Sequence, residues 1–157
     1  MRHWTAVSFV AAAAALLVSI PSVQAAQAGK SPVKVFILAG QSNMQGQGVV
    51  DMDDPENYNG GKGNLEYVMK HSPNAQLYKH LKDKDGKWVV RDDVWVSHKT
   101  EGGKLLTGGL TIGFTGYGGK SHIGPEFQFG HVIGDCLDNQ VLLIKTAWGG
   151  KSLYVDF

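Results

Sequence analysis

Two stretches of the chain pass in the same way from an apolar run into small and polar residues. Residues 33–38 are apolar except for Lys34, and Ala39-Gly40 and then Gln41, Ser42 and Asn43 follow them. Residues 141–144 are all Val, Leu or Ile, and the glycine pair Gly149-Gly150 follows shortly after. Short apolar runs bounded by turn residues are typical of strands that are buried on both faces of a parallel sheet. We therefore predict two such strands in one sheet.

The segment before the second strand has the period of a helix. Pro125 suits a first helical turn, and Glu126 is favourable at the positive end of the helix dipole. Apolar residues then recur at i, i+3, i+4, i+7 and i+8, namely Phe129, Val132, Ile133, Cys136 and Leu137. This predicts a helix over 125–138 with that face turned inward and Cys136 as a small core residue. A helix between two strands gives a βαβ unit and a parallel sheet.

The middle of the chain has weaker signals. Asn64 suits the N-cap of a helix over 64–71, which Ser72-Pro73 would end. Residues 88–90 and 94–96 are typical of two short strands, or of one strand broken by a turn. Residues 102–119 are rich in Gly and Thr and predict one long loop.

The first 25 residues have the pattern of a secretory signal. A basic start at Arg2 precedes the apolar run 6–20, and Val23-Gln24-Ala25 is a small-x-small cleavage site. We expect a mature domain over 26–157, secreted or periplasmic, without a membrane span once the signal is cleaved. An uncleaved N-terminal anchor is the alternative.

Composition narrows the class of partner. Lys and Arg total 15 and Asp and Glu total 14, and residues 1–25 contain only Arg2 among them. The balance gives no basic patch for nucleic acid. Cys136 is the single cysteine of the sequence, so an intrachain disulfide cannot form. The sequence suggests no zinc site and no other metal, and it leaves the oligomeric state open.

Ser42 is the candidate nucleophile. It follows a stiff strand, at the carboxyl edge where open α/β sheets bind ligands, and neighbouring backbone N–H groups can stabilise an oxyanion there. The amides of Gln41 and Asn43 can orient the loop without adding charge. The alternative interpretation is that Ser42 merely caps a short helix.

Three other motifs fail at single positions. The nucleophile elbow G-x-S-x-G has Met44 in place of its second glycine. The dinucleotide fingerprint that begins at Gly46 has Asp51 in place of its last glycine. The Gly-Lys-Ser trios at 119–121 and 150–152 lack the first glycine of a P-loop. A phosphate- or nucleotide-binding domain is therefore disfavoured.

Three blocks in the same order resemble the sialate O-acetylesterase-like group of SGNH hydrolases, also described as carbohydrate esterase family six. They are Phe36-Ile-Leu-Ala-Gly-Gln-Ser-Asn-Met44, His122-Ile-Gly-Pro-Glu-Phe-Gln-Phe-Gly130 and Lys145-Thr-Ala-Trp-Gly-Gly-Lys-Ser-Leu153. The resemblance implies a flavodoxin-like three-layer α/β/α fold and a serine esterase that removes O-acetyl groups from carbohydrate without a metal or organic cofactor.

The same resemblance implies roles for individual residues. Ser42 is the nucleophile, and Gln41 and Asn43 belong to its loop. A backbone N–H of Gly149 or Gly150 assists the oxyanion hole, or else the glycine pair is needed only for a tight turn. Glu126 orients groups of the catalytic loop, or else it only complements the helix dipole. His122, which borders a glycine-rich loop, is a weak candidate for the base, because it lacks the family's base motif.

Two later blocks of the family do not occur in this sequence. One is Trp-x-Gln-Gly-Glu-x-Asp, whose glutamine helps to hold the oxyanion, and the other is Asp-x-x-His, which supplies the base and its orienting carboxylate. We therefore expect the chain to be the N-terminal portion of a longer hydrolase, with a fold incomplete at its C-terminus and little activity alone. The competing hypothesis is a non-catalytic exported module that binds carbohydrate or serves assembly.

Overall fold

The computed structural model describes residues 31–52, 54–117, 122–152 and 154–156. The elements, in chain order, are β1 (Lys34–Gly40), α1 (Ser42–Gln45), β2 (Gly48–Val49), α2 (Leu65–His71), a 3₁₀ helix (Ala75–Leu81), β3 (Val94–Lys99), β4 (Leu105–Gly109), β5 (His122–Ile123), α3 (Pro125–Cys136) and β6 (Val141–Ala147). The chain thus has a mixed α/β fold.

The main sheet has the strand order β1-β6-β3-β4. β6 is parallel to β1 and to β3, whereas β4 is antiparallel to β3. The register pairs Lys34 with Val141 and Gly40 with Ala147. The two predicted strands are therefore confirmed as parallel neighbours, and their carboxyl ends lie side by side. A second, two-stranded sheet joins β2 to β5.

One face of the main sheet forms the core. Val94 and Val96 of β3 and Val141 and Leu143 of β6 are fully buried there. α3 covers this face, and the partly buried residues of α2 and the 3₁₀ helix pack against the same cluster. Phe36 of β1 joins it through an edge-to-face contact with Phe129. The period of two in β6 therefore places every second residue against α3.

The expectation that residues 33–38 are buried on both faces was wrong. Val35 is 52% exposed and Ile37 is 70% exposed. They alternate with Phe36 and Leu38, which face the core, and β1 has β6 as its only neighbour in the described sheet. α2, α3 and the 3₁₀ helix pack on the core side of the sheet, so the third layer of the implied α/β/α fold stays a prediction.

The helix α3 is confirmed, but its buried face was predicted only in part, since Phe129, Ile133 and Leu137 pack against the core whereas Val132 and Cys136 do not. The buried residues are Glu126, Phe127, Gly130, His131 and Gly134, while Val132 is 52% exposed. Cys136 is exposed as well, so it is not a core residue. The face is rotated because the two glycines let the helix approach the sheet closely. A Cβ at Gly134 would lie 2.6 Å from Val94 Cγ2.

The predictions for the middle of the chain are confirmed only in part. Asn64 caps α2, since its side-chain oxygen accepts a hydrogen bond of 2.9 Å from the Tyr67 N–H. The long loop predicted over 102–119 was wrong, because β4 lies within it and pairs with β3. The strand predicted at 88–90 is reduced to a single bridge between Trp88 and Lys82. The glycines and the threonine of β4 are typical of a loop, and no residue of this strand is fully buried. The sequence therefore shows no clear strand pattern there.

The predicted signal at residues 1–25 lies outside the described residues. Within the described part of the chain, the helices lack the length and apolar character that crossing a bilayer would require.

Candidate active site

Ser42 begins a single helical turn directly after β1. The turn closes through hydrogen bonds from the Gln45 N–H to the Gln41 carbonyl (2.7 Å) and from the Gly46 N–H to the Ser42 carbonyl (3.1 Å). Gly40 permits the sharp exit from the strand, since a Cβ there would lie 2.7 Å from Met44 Cβ. The N-cap is Gln41, so the alternative that Ser42 caps the helix is wrong. The N–H of Ser42 has no intrahelical acceptor because it lies at the helix start.

A cleft of about 760 Å³ lies beside Ser42, and we call it the serine cleft. Gly149 and Gly150, which follow β6, line it together with Ser42. This arrangement follows from the parallel pairing of β1 with β6, which brings both strand exits to one edge of the sheet. The lining also includes polar side chains, namely Gln45, Gln47, Thr100, Glu101, Lys104, Thr115 and Tyr117.

Two contacts define the walls of the serine cleft. The Gln47 Nε2 donates a hydrogen bond of 3.0 Å to the Tyr117 hydroxyl, which connects the serine turn to the loop after β4. Glu101, another lining residue, has a carboxylate oxygen 3.1 Å from Nζ of Lys151, which lines a separate groove. The cleft is thus polar and bounded by three loops, which suits a hydrophilic ligand.

Lys145 connects the segments behind the cleft. Its Nζ donates to the Gln45 carbonyl (2.9 Å), the Phe114 carbonyl (2.8 Å) and Glu126 Oε2 (2.7 Å). An ammonium group has three donors, so all of them are used. The three acceptors belong to the serine turn, the loop after β4 and the first turn of α3. One buried side chain therefore fixes these three segments relative to β6.

Burial shapes the titration of this pair. The side chains of Lys145 and Glu126 are 0% and 1% exposed. Burial raises the pKa of the Glu126 carboxyl, and the charge and hydrogen bond of Lys145 oppose that rise. Burial likewise lowers the pKa of the Lys145 ammonium, and Glu126 opposes it. Glu126 Oε1 also accepts a hydrogen bond of 3.1 Å from the Gly124 N–H. Each charge is thus compensated only by the other and by oriented backbone groups.

The structure separates the other site residues named from the sequence. Gln41 is exposed at the start of α1 and makes no capping hydrogen bond through its side chain. Asn43 lines a neighbouring groove with Gly124 and Pro125 and is not part of the serine cleft. Glu126 lies behind the cleft and reaches the serine turn only through Lys145.

Histidine does not line the serine cleft among the described residues. His98 is buried in β3, and its Nδ1 lies 3.0 Å from the Lys145 carbonyl oxygen. Burial lowers the pKa of His98. His131 lies in the core on α3, and His122 lies on β5, with its ring 6.3 Å from the Tyr117 ring. The weak candidate His122 is therefore placed next to a wall residue and does not line the cleft itself.

Sequence reasoning missed Lys145, Gln45 and Tyr117. A signal for Lys145 was present, since it occupies a core-facing position of a strand that is otherwise apolar, and a buried lysine needs a partner. Glu126 at the start of an apolar helix was the matching acid. Gln45 and Tyr117 had no comparable signal, because their positions depend on how the loops meet.

Comparison with known proteins identifies one family. The model of a family described as carbohydrate esterase, sialic acid-specific acetylesterase, matches residues 32–156. No curated protein and no solved structure matches the chain significantly.

Proposed function

Because the chain belongs to the carbohydrate esterase family of sialic acid-specific acetylesterases, we propose that it acts on O-acetyl esters of carbohydrates in the serine cleft, with Ser42 as nucleophile. The observation that carries the proposal is that Ser42 and the glycine pair Gly149-Gly150, far apart in sequence, line one polar cleft.

In the proposed reaction, the Ser42 hydroxyl oxygen attacks the acetyl carbonyl carbon while a base takes its proton. The N–H groups of Ser42 and of Gly149 or Gly150 stabilise the oxyanion of the tetrahedral intermediate. Its collapse releases the sugar hydroxyl, which takes up a proton, and leaves an acetyl group on Ser42. Water then hydrolyses this acetyl-enzyme to acetate. Gln41 and Asn43 support the loop, and no metal or organic cofactor takes part.

Lys145 and Glu126 act as positioning residues in this proposal. Lys145 holds the carbonyl of Gln45, so it fixes the far end of the helical turn that begins at Ser42. Glu126 holds Lys145 in turn. The proposed role of Glu126 is therefore indirect, through the geometry of the serine turn.

The base is the unassigned component. In the resembled family an Asp-x-x-His segment supplies it, and no such segment occurs within these 157 residues. We expect the 157-residue chain alone to turn esters over slowly, since losing one member of a hydrolase triad costs on the order of a millionfold in turnover. Export through residues 1–25 to the periplasm or the exterior is part of the same proposal.

A second candidate function is a non-catalytic carbohydrate-binding module. The polar lining of the serine cleft favours it, since side-chain amides, hydroxyls and charges suit sugar hydroxyls whether or not an ester is cleaved.

Acetate release from 9-O-acetyl-N-acetylneuraminate tests these proposals. We expect no appreciable release by the 157-residue chain alone, and slow release once imidazole is added as the base, which Ser42→Ala abolishes. Release at the rate of an intact triad hydrolase would contradict the assignment of the base outside these residues. Release that is insensitive to Ser42→Ala would exclude Ser42 as nucleophile. Sugar binding without any Ser42-dependent release would favour the binding module.

A further inference from the structure

The side chain of Gln45 is buried at the wall of the serine cleft without a complete set of hydrogen bonds. It is 5% exposed, and it lines the cleft together with Ser42. Its Oε1 has no hydrogen-bond partner among the residues that the structure describes. A buried amide oxygen left unpaired destabilises the folded protein, so its retention calls for an explanation.

The surroundings of this oxygen point toward a ligand. A Cβ at Gly149 would lie 2.9 Å from Gln45 Oε1 and 2.9 Å from the Tyr117 hydroxyl oxygen. Glycine at this position therefore avoids a collision with both oxygens and keeps a side chain away from Gln45 Oε1, which has less than 1 Å² of accessible surface. The Tyr117 hydroxyl already accepts a hydrogen bond from Gln47 Nε2, so its own proton remains available to a ligand.

The main chain of Gln45 is held independently of its side chain. Its carbonyl oxygen accepts the hydrogen bond of 2.9 Å from Lys145 Nζ, and its N–H donates to the Gln41 carbonyl. The serine turn therefore does not need the amide group for its shape. This separates the side chain from a purely structural role.

We propose that Gln45 is a specificity-determining residue whose Oε1 accepts a hydrogen bond from a hydroxyl or amide N–H next to the ester group of the substrate. The proposal rests on the proposed function and adds to it the class of ester. A sugar acetate carries such donors beside its ester, whereas an alkyl acetate does not. Gln45 therefore favours polyhydroxylated acetyl esters over simple ones.

The test measures binding of 9-O-acetyl-N-acetylneuraminate to the 157-residue chain by NMR titration, in a Ser42→Ala background that prevents turnover. Gln45→Met keeps the length of the side chain and removes the acceptor. We expect its Kd to rise about fivefold, the effect of one net hydrogen bond. The matched control is Gln128→Met on the exposed side of α3, which should leave Kd as it is.

Thermal unfolding of the same variants supplies the second readout. Gln45→Met should keep or raise Tm, because it removes an unsatisfied buried oxygen. A lowered Tm with unchanged Kd would show a structural role and overturn the inference. Should the Met variant fail to fold, Gln45→Asn withdraws the oxygen while keeping the amide, and the same rise in Kd is expected.

The outcomes distinguish a failure of the inference on Gln45 from a failure of the proposed function. If the sugar binds equally to Gln45→Met and Gln128→Met while Ser42-dependent acetate release persists, the inference on Gln45 is wrong and the proposed function stands. If the unsubstituted chain in the Ser42→Ala background does not bind the sugar at all, the inference and the carbohydrate proposal both fail.

Discussion

Lys145 Nζ lies 2.7 Å from Glu126 Oε2, in an ion pair whose two side chains are almost completely inaccessible to solvent. The pair connects β6 to the first turn of α3, and the remaining donors of Lys145 hold the serine turn and the loop after β4. A buried pair of this kind contributes little net stability compared with well-packed apolar residues, but losing one partner leaves an uncompensated charge. We therefore infer that the main role of the pair is to hold the serine turn in position.

Lys145→Met should destabilise the chain by about 3–5 kcal/mol, because Glu126 loses its charge partner and two backbone carbonyls lose their donor. Urea unfolding measures the change. The double variant Lys145→Met/Glu126→Gln should lose less than Lys145→Met alone, since the buried carboxylate is gone as well. A loss of less than about 1 kcal/mol in the single variant would contradict the role given to this pair.

Gly46→Ala should disturb the junction between the serine turn and α3. Gly46 has φ +99°, and a Cβ there would lie 2.7 Å from Thr115 Cγ2 and 2.8 Å from the Gly124 nitrogen. The substitution therefore combines a left-handed backbone with a collision against main chain, and we expect a cost of roughly 3 kcal/mol or more.

The matched control for that substitution is Gly86→Ala. Gly86 has φ +75°, but a Cβ there would have no heavy atom within 4 Å among the described residues. Only the backbone strain applies, so we expect a loss of about 1 kcal/mol in the same urea assay. Equal losses in the two variants would show that the close approach at Gly46 is unimportant.

His131 should make the stability fall in mild acid. Burial, followed by the charges of His80 and Arg91, lowers its pKa to about 4, while Asp135 and Asp93 oppose this. Between pH 6.5 and about 4 the unfolded chain therefore binds the proton that the folded chain excludes. The contribution of His131 to the free energy of unfolding is fully present above that range. It is lost as pH decreases through the range, by ~3 kcal/mol in total.

The contribution of His131 can be isolated by substitution. His131 packs edge-on against Phe127, with ring centroids 5.1 Å apart, so His131→Phe keeps an aromatic ring in place. Urea unfolding at a series of pH values should show a shallower decline between pH 6.5 and 4 for the variant. Identical slopes for the variant and the unsubstituted chain would exclude His131 as the cause.

The sequence predicts which strand exits lie side by side better than it predicts the packing of the core. The positions of Ser42 and Gly149 depend on two strands that run parallel and end in glycine-rich turns, and those signals are local. The buried face of α3 depends instead on Gly130 and Gly134, which have no hydrophobic side chain to register in a periodic pattern. Apolar periodicity therefore found the partly buried residues Phe129, Ile133 and Leu137 and missed the fully buried positions around the two glycines.

Two other features depended on tertiary partners. Leu105–Gly109 forms β4 because β3 offers it an edge, although its glycines and threonine are typical of a loop. Val35 and Ile37 have strong strand propensity and still lie exposed, because the described helices cover the opposite side of the sheet. In both cases the neighbouring elements decided the outcome.

The most direct test of the central claim, that Ser42 is the nucleophile of the serine cleft, is covalent labelling of the purified chain with a fluorophosphonate, read by intact mass and peptide mapping. Added imidazole supplies a base for the serine proton, since no Asp-x-x-His segment occurs within these 157 residues, and the labelling step does not need complete turnover. We predict one adduct, on the peptide that contains Ser42, and its loss in Ser42→Ala. No adduct after prolonged incubation, or an adduct on another serine that survives Ser42→Ala, would contradict the account.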